Sequence, residues 1–267
     1  MHSLLKIPGR LLFKLLNKSL NVVFTIYSRL LVLINKNDVK ILVYTDSRGF
    51  NVAGKLGKMP FKTYISYLAR HYQVEYRICP EKFTTIVDFL NFYNTVPNKS
   101  EFSAVVLHCG VVDFSPRPLS NIEVVKKSKE GVAGFEDLFI ANATYHKHPF
   151  NVYYRNELTT TIYSKEYFKT EIIPKLTAIE NLIWIDSNHF VKGWDGNYLN
   201  GRPTNIDQMV SEYDELLGEK MPNRTTLKNW TDTEIKKFTI DNIHFTGEGF
   251  KKLFIDIHSK IKEIIND

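Results

Sequence analysis

Cysteine is scarce in this 267-residue chain: there are two, Cys79 and Cys109. Both lie in apolar stretches that read as strands and neither has metal-ligand spacing, which excludes a disulfide-stapled scaffold and a zinc-organised one. The thiols are expected to be unpaired and buried, in a reducing compartment: the cytoplasm, or the inner face of its membrane. Acidic residues are missing from residues 1–37, which carry Lys6, Arg10, Lys14, Lys18, Arg29 and Lys36. Taking these six from the 35 basic residues leaves 29 against 29 acids, so the net charge of +6 belongs to this arm. A phosphate-tracking groove makes the folded domain itself basic; residues 38–267 are neutral, which argues against nucleic acid as a partner. Long apolar runs are also lacking. A membrane-spanning helix needs roughly 20 predominantly apolar residues, and the longest uncharged stretch before Arg29 runs from Ser19 to Ser28. No small-x-small cleavage site follows it, so a secretory signal is not expected. There are no internal repeats and no low-complexity tract.

What the arm does have is a pattern. Between Leu4 and Ile34, the cations Arg10, Lys14 and Lys18 recur every four residues, which stacks them on one helical face opposite Leu5, Leu12, Leu16 and Leu20. Such a helix can rest on an anionic membrane surface, giving peripheral contact through residues 4–34. It can equally pack on the domain or on a partner, and the residues leave both open. Oligomeric state is not legible.

With 43% apolar residues and 13% aromatics over its 267 residues, the chain has material for one full core. Short apolar runs alternate with helix-like stretches. Strands are expected at Val39–Tyr44, Gln73–Cys79, Ala104–Cys109 and Leu182–Asp186, and helices at Phe61–Tyr72, Thr84–Tyr93, Lys165–Glu180 and Thr246–Ile265. This alternation predicts an α/β fold: a parallel sheet with helices on both sides and ligands beyond the carboxyl ends of the strands. Two stretches interrupt it, at about 111–164 and 193–203, and read as insertions suited to lids, substrate walls or surface decoration.

Two groups of residues carry candidate chemistry. Directly after the first strand comes Thr45-Asp46-Ser47-Arg48-Gly49, a turn that presents a serine at the sheet's carboxyl edge. Near the other end stands Asp241-Asn242-Ile243-His244, just before the last helix. An Asp three residues ahead of a His can accept from Nδ1–H, fixing the tautomer that turns Nε2 toward a nucleophile. Each signal alone has an ordinary explanation: a turn or cap serine, a solvated loop histidine. Their joint placement is restrictive.

The arrangement resembles the SGNH, or GDSL-like, hydrolase family over most of residues 39–265. Asp46-Ser47 resembles the first block, His108-Cys109-Gly110-Val111-Val112-Asp113 the Gly-x-Asn-Asp block, and Asp241 with His244 the last. The resemblance implies a three-layer α/β/α fold with a mostly parallel, flavodoxin-like sheet. It also implies Ser47 as nucleophile, His244 as base, Asp241 as its orienting acid, and Ser47 and Gly110 amides at the oxyanion, with no metal and no nucleotide cofactor. The departures are specific. Thr45 replaces the usual first-block Gly and Arg48 the usual Leu; Val112 stands where an Asn donates to the oxyanion; Cys79-Pro80-Glu81 lacks the oxyanion Gly of the second block. Arg48 and Arg117, with Asp113 between them in sequence, are the candidate substitutes for oxyanion or substrate binding. The Gly-x-Ser-x-Gly elbow of the α/β-hydrolases fits less well, because there several strands precede the elbow and here one does.

Acyl-ester chemistry is therefore expected, by hydrolysis (esterase or deacetylase) or by O-acetyl transfer. Tyr145, Tyr153, Tyr154, Trp194, Tyr198 and Trp230, set among Asn, Asp and Arg, suit a glycan ester such as a bacterial surface polysaccharide. The alternatives are a catalytically impaired, SGNH-like glycan-binding protein and a lipid esterase.

Overall fold

In the computed structural model, the described residues are 19–20, 22–31, 33–34, 38–52 and 59–266. β1 (Lys40–Thr45) has five of its six residues buried. It is apolar on both faces because both faces of the sheet are covered, as parallel strands require. β2 (Gln73–Ile78) and β3 (Ala104–His108) flank it in parallel, with Thr45 level with Ile78 on one side and His108 on the other. Next along the chain come β4 (Arg117–Pro118), β5 (Phe150–Tyr154) and β6 (Glu157–Thr160), which form a small antiparallel sheet in the order β4-β6-β5. β7 (Leu182–Ile185) and β8 (Asn223–Thr225) return to the central sheet.

The central order is β2-β1-β3-β7-β8, all parallel. Counted along the chain within that sheet it is the flavodoxin-like order, so the strand order reverses at β1 and β3 and opens a crevice beyond their carboxyl ends. Strand side chains alternate between two cores. Leu42, Tyr44, Val105, Leu107 and Trp184 face the helices Ile86–Thr95, Leu119–Ser128 and Ile206–Gly218. Ile41, Val43, Val106, Ile183 and Ile185 face the helices Tyr64–Leu68 and Gly247–Asn266. The chain is thus a three-layer α/β/α domain.

The 111–164 stretch holds the small sheet and the helices Leu119–Ser128, Phe135–Ala141 and Ala143–Lys147. It is tied to the core by a sealed ion pair, Lys129 Nζ at 2.7 Å from Asp88 Oδ2. The expected helix over 165–180 runs from 165 to 177, interrupted by a π turn at Phe168–Ile172 between Lys165–Tyr167 and Ile173–Thr177. Pro174 explains the break, since it has no N–H and its ring collides with the carbonyl four residues back.

At the other end, residues 22–31 are helical and anchored by Phe24, fully buried against Phe61 and Tyr76 with ring centroids at 5.1 and 5.5 Å. The expected face of Arg10, Lys14 and Lys18 lies outside the described residues. Cys109 is buried as expected. Cys79 is a correction: it is half-buried at the end of β2, where the chain turns with φ 43°.

Candidate active site

Ser47 opens a single 3₁₀ turn, Ser47–Gly49, at the carboxyl end of β1. Asp46 makes the turn: its Oδ1 accepts from Arg48 N at 2.9 Å, while Asp46 N donates to His108 O at 3.0 Å and pins the turn to the end of β3. Thr45 explains Gly49, since a Cβ at Gly49 would lie 2.1 Å from Thr45 Cγ2. The turn therefore sits at the switch point between β1 and β3, with Ser47 half-exposed.

His244 reaches it from the other end of the chain. Thr239 and Phe245 form an antiparallel bridge and Ile240 N donates to His244 O at 2.8 Å, so residues 239–245 are a tight loop. Asn242 at its tip has φ 66°, a left-handed conformation that Asn tolerates better than most residues. Asp241 Oδ1 accepts from the main-chain N–H of His244 (2.7 Å) and Ile243 (3.1 Å), and its Oδ2 lies 2.8 Å from His244 Nδ1. Nε2 of the same ring lies 3.0 Å from Ser47 Oγ, 197 residues away in sequence. With Nδ1–H donated to the carboxylate, Nε2 is the acceptor for the serine proton. The Asp241 side chain is 5% exposed and that of His244 21%, so the carboxylate is sealed while the ring edge meets the crevice. Burial pushes the Asp241 carboxyl up, but the hydrogen bonds from His244 and Ile243 outweigh it and leave it below the usual carboxylate range.

A second loop clamps the first. Asn242 Oδ1 accepts from Val191 N at 2.9 Å, Asn242 Nδ2 donates to the Trp194 carbonyl, and Asn188 Nδ2 donates to Asn242 O at 3.0 Å. Gly196 (φ +56°) packs so closely that a Cβ would meet Ile240 O at 2.0 Å. Arg202 completes the clamp: one nitrogen donates to Asp241 O at 2.6 Å and the other to Asp195 Oδ1 at 2.9 Å, over the Tyr198 ring at 4.4 Å. Sequence reasoning marked this turn-rich stretch but not Arg202, because nothing local links it to an Asp 39 residues on.

Of the expected oxyanion residues, Gly110 stands past the carboxyl end of β3, the strand paired with β1 and its Ser47 turn. It follows β3 with φ +125°, wedged so that a Cβ would lie 2.7 Å from Phe114 and 2.9 Å from Trp184. Neither its N–H nor that of Ser47 has an acceptor among the described residues. Arg48 and Asp113 are corrections. Arg48 is 2% exposed and faces inward, with Nε bonded to both Asp46 carboxylate oxygens (3.1 and 3.2 Å) and one terminal nitrogen bonded to Ser187 Oγ (3.1 Å). Asp113 is fully buried and latches the first turn of the Ile86–Thr95 helix, accepting from Ile86 N (3.0 Å) and Tyr163 OH (2.9 Å). Arg117 donates to the Val112 carbonyl, bracing the main chain beside the place of the missing Asn. Burial lowers its guanidinium to about 10, against the pull of Asp113. Among the aromatic candidates, Trp230 is core, packed on Phe238 and Phe245, while Tyr153 is 65% exposed. Tyr154 OH bonds Gly201 O at 3.0 Å, joining the small sheet to the clamp.

No family model matches the sequence, and no curated protein matches it. Solved structures do. A lipase/acylhydrolase from Enterococcus faecalis is similar over 85% of this chain and 95% of its own, at 14% identity and a TM-score of 0.44. A putative GDSL-like lipase from Parabacteroides merdae is similar over 85% and 96%, at 10% identity and a TM-score of 0.48. A two-domain esterase active on acetylated mannans is similar over 86% of this chain and 50% of its own, at 12% identity and a TM-score of 0.33.

Proposed function

We propose that the chain is an SGNH-type enzyme of acyl-ester chemistry, acting by hydrolysis or acyl transfer on a carbohydrate ester such as an O-acetylated bacterial surface polysaccharide. The observation that carries this reading is the continuous hydrogen-bonded chain from Ser47 Oγ through the His244 ring to Asp241. Ser47 attacks the ester carbonyl as Nε2 of His244 takes its proton, and Asp241 holds the ring and stabilises the imidazolium. The N–H groups of Ser47 and Gly110 receive the charge that develops on the carbonyl oxygen. The imidazolium then protonates the departing sugar alkoxide. An acyl group left on Ser47 passes to water or to another hydroxyl, which loses its proton to Nε2 as it attacks.

The carbohydrate part rests on the clamp loop, where Tyr198 and Arg202 stand beside Asp241, with Tyr154 bonded to Gly201. Aromatic faces among hydrogen-bonding groups suit a sugar ring. One specific observation favours a second reading, a glycan-binding protein with impaired catalysis: Val112 offers no side-chain donor, and the end of β2 runs into Pro80, which has no N–H.

A fluorophosphonate probe separates the two. Wild-type protein is expected to label, Ser47→Ala not to label, and acetate release from an acetylated glycan to be lost with the same substitution. Absence of labelling in folded wild-type protein, together with absence of p-nitrophenyl acetate turnover, overturns the enzyme reading.

A further inference from the structure

The helix over residues 22–31 has one face on the domain and one face that nothing among the described residues covers. Phe24 and Ser28 are its buried residues. Val22, Val23, Ile26, Tyr27 and Leu30 are exposed, and Leu33 and Ile34 continue the same face; these side chains are 42–74% exposed. At 100° per residue they occupy an arc of about 140°, and Phe24 and Ser28 lie outside it. A contiguous apolar surface of this kind on a folded monomer marks an interaction site. Beside it lies a groove of about 520 Å³ lined by Val23, Tyr27, Tyr67, Lys62 and Arg70.

Charge identifies the occupant. Residues 1–37 bring six Lys and Arg and no acid, and Lys62 and Arg70 stand at the groove. A second copy of the chain would bring an equal positive charge against this one, and repulsion opposes such a dimer. An anionic bilayer accepts the apolar face among its acyl chains and the cations among its headgroups. Among the described residues no helix is long and apolar enough to cross a membrane; Phe24 packs the helix side-on against Phe61 and Tyr76, which leaves its outward face to lie along a bilayer surface. We propose that the outward face of residues 22–34 docks the protein on an anionic lipid bilayer.

The test uses the full chain and flotation with phosphatidylcholine vesicles, with and without about 30% phosphatidylglycerol. Binding is expected to be at least about tenfold stronger to the anionic vesicles and to weaken with added salt. Ile26→Asp with Leu30→Asp points two charges outward from the exposed face; it should lower binding at least about tenfold, with far-UV circular dichroism and Tm unchanged. Arg29→Glu, a milder change on the exposed surface, should lower binding about fivefold or more. The proposal is overturned if the wild-type chain does not float with anionic vesicles, or if both variants float as well as it does. A dimer in sedimentation equilibrium that the Asp pair dissolves, with no vesicle binding, overturns it in favour of a second copy. None of these readouts depends on activity at Ser47.

Discussion

Arg202 donates to the main-chain oxygen of Asp241 at 2.6 Å while keeping the same nitrogen 3.6 Å from Oδ2 of that residue. The loop of the candidate base is therefore held from outside by a cation whose side chain is 8% exposed. Asp241 also receives two main-chain N–H groups, so its position is fixed from both directions. Arg202→Ala leaves Asp241 hydrogen-bonded to His244 but frees the loop carrying both. Since a displacement of about 1 Å can cost on the order of 100-fold in rate, kcat is expected to fall about 10- to 100-fold with KM little changed. Arg202→Lys, which keeps the charge but not the fork between Asp195 and Asp241, should recover only part. Steady-state kinetics on an activated ester measure this, and a kcat within about twofold of wild type would refute a positioning role.

Arg48 carries a different expectation. Its partner Asp46 is 1% exposed, caps the Ser47–Gly49 turn, and has no other cation bonded to it among the described residues. Removing one member of a buried pair leaves the other uncompensated, at about 3–5 kcal/mol. Arg48→Met should therefore lower stability by that order in urea unfolding while the folded fraction still labels at Ser47. A variant as stable as wild type but unable to label would restore Arg48 to the reacting centre.

How much of this was legible beforehand follows from what each signal depends on. The central strands β1, β3 and β7 were readable within about a residue because buried parallel strands write continuous apolar runs, and the edge strand β2 because its Val74, Tyr76 and Ile78 alternate with polar residues. β8 was not: its Asn-Arg-Thr has no apolar signature, and Asn223 and Arg224 are only half-buried. Within 111–164 the strands are two to five residues long and, apart from Leu119–Ser128, the helices have seven residues or fewer, so few windows carry a period. At the site, Ser47, Asp241 and His244 were found because their chemistry is local to two short motifs. Arg48 and Arg117 were expected at the oxyanion on donor count alone, and sequence does not reveal which way a guanidinium turns. Arg48 turns toward Asp46, its neighbour but one.

Asp113 supplies a pH test. Burial raises its carboxyl from an ordinary 3.8 to about 7, against the hydrogen bonds from Ile86 and Tyr163. The folded protein thus keeps a proton that the unfolded chain releases above about pH 4, so this contribution to stability is full at low pH and is lost as pH rises through about 7. Asp214, also raised to about 7 by burial and by Asp186, acts in the same direction. In Asp113→Asn the amide oxygen keeps both hydrogen bonds and the titration disappears. Relative to wild type, the variant should gain stability between about pH 5 and 8, on the order of a few kcal/mol. Melting curves across that range measure the gap, and wild-type and variant Tm values that run parallel would contradict the assignment.

Val112 is where a gain of function is expected. In the proposed mechanism the N–H groups of Ser47 and Gly110 would meet the charge on the attacked carbonyl, and each oxyanion donor contributes about 100- to 1000-fold in rate. Val112 follows Gly110 by two residues, is half-exposed, and has its carbonyl held by Arg117. Val112→Asn therefore adds an amide donor to a braced main chain while removing an apolar side chain that only partly packs on the core. If two amides leave the developing charge short of a donor, kcat should rise, by up to about 100-fold, with KM nearly unchanged, because the new bond forms only as the oxygen becomes negative. The comparison is made in a Ser47-labelling assay and in ester turnover on the same preparation. An unchanged kcat in folded Val112→Asn protein means that the pocket already has its full set of donors, and the impaired-catalysis reading then loses its main support.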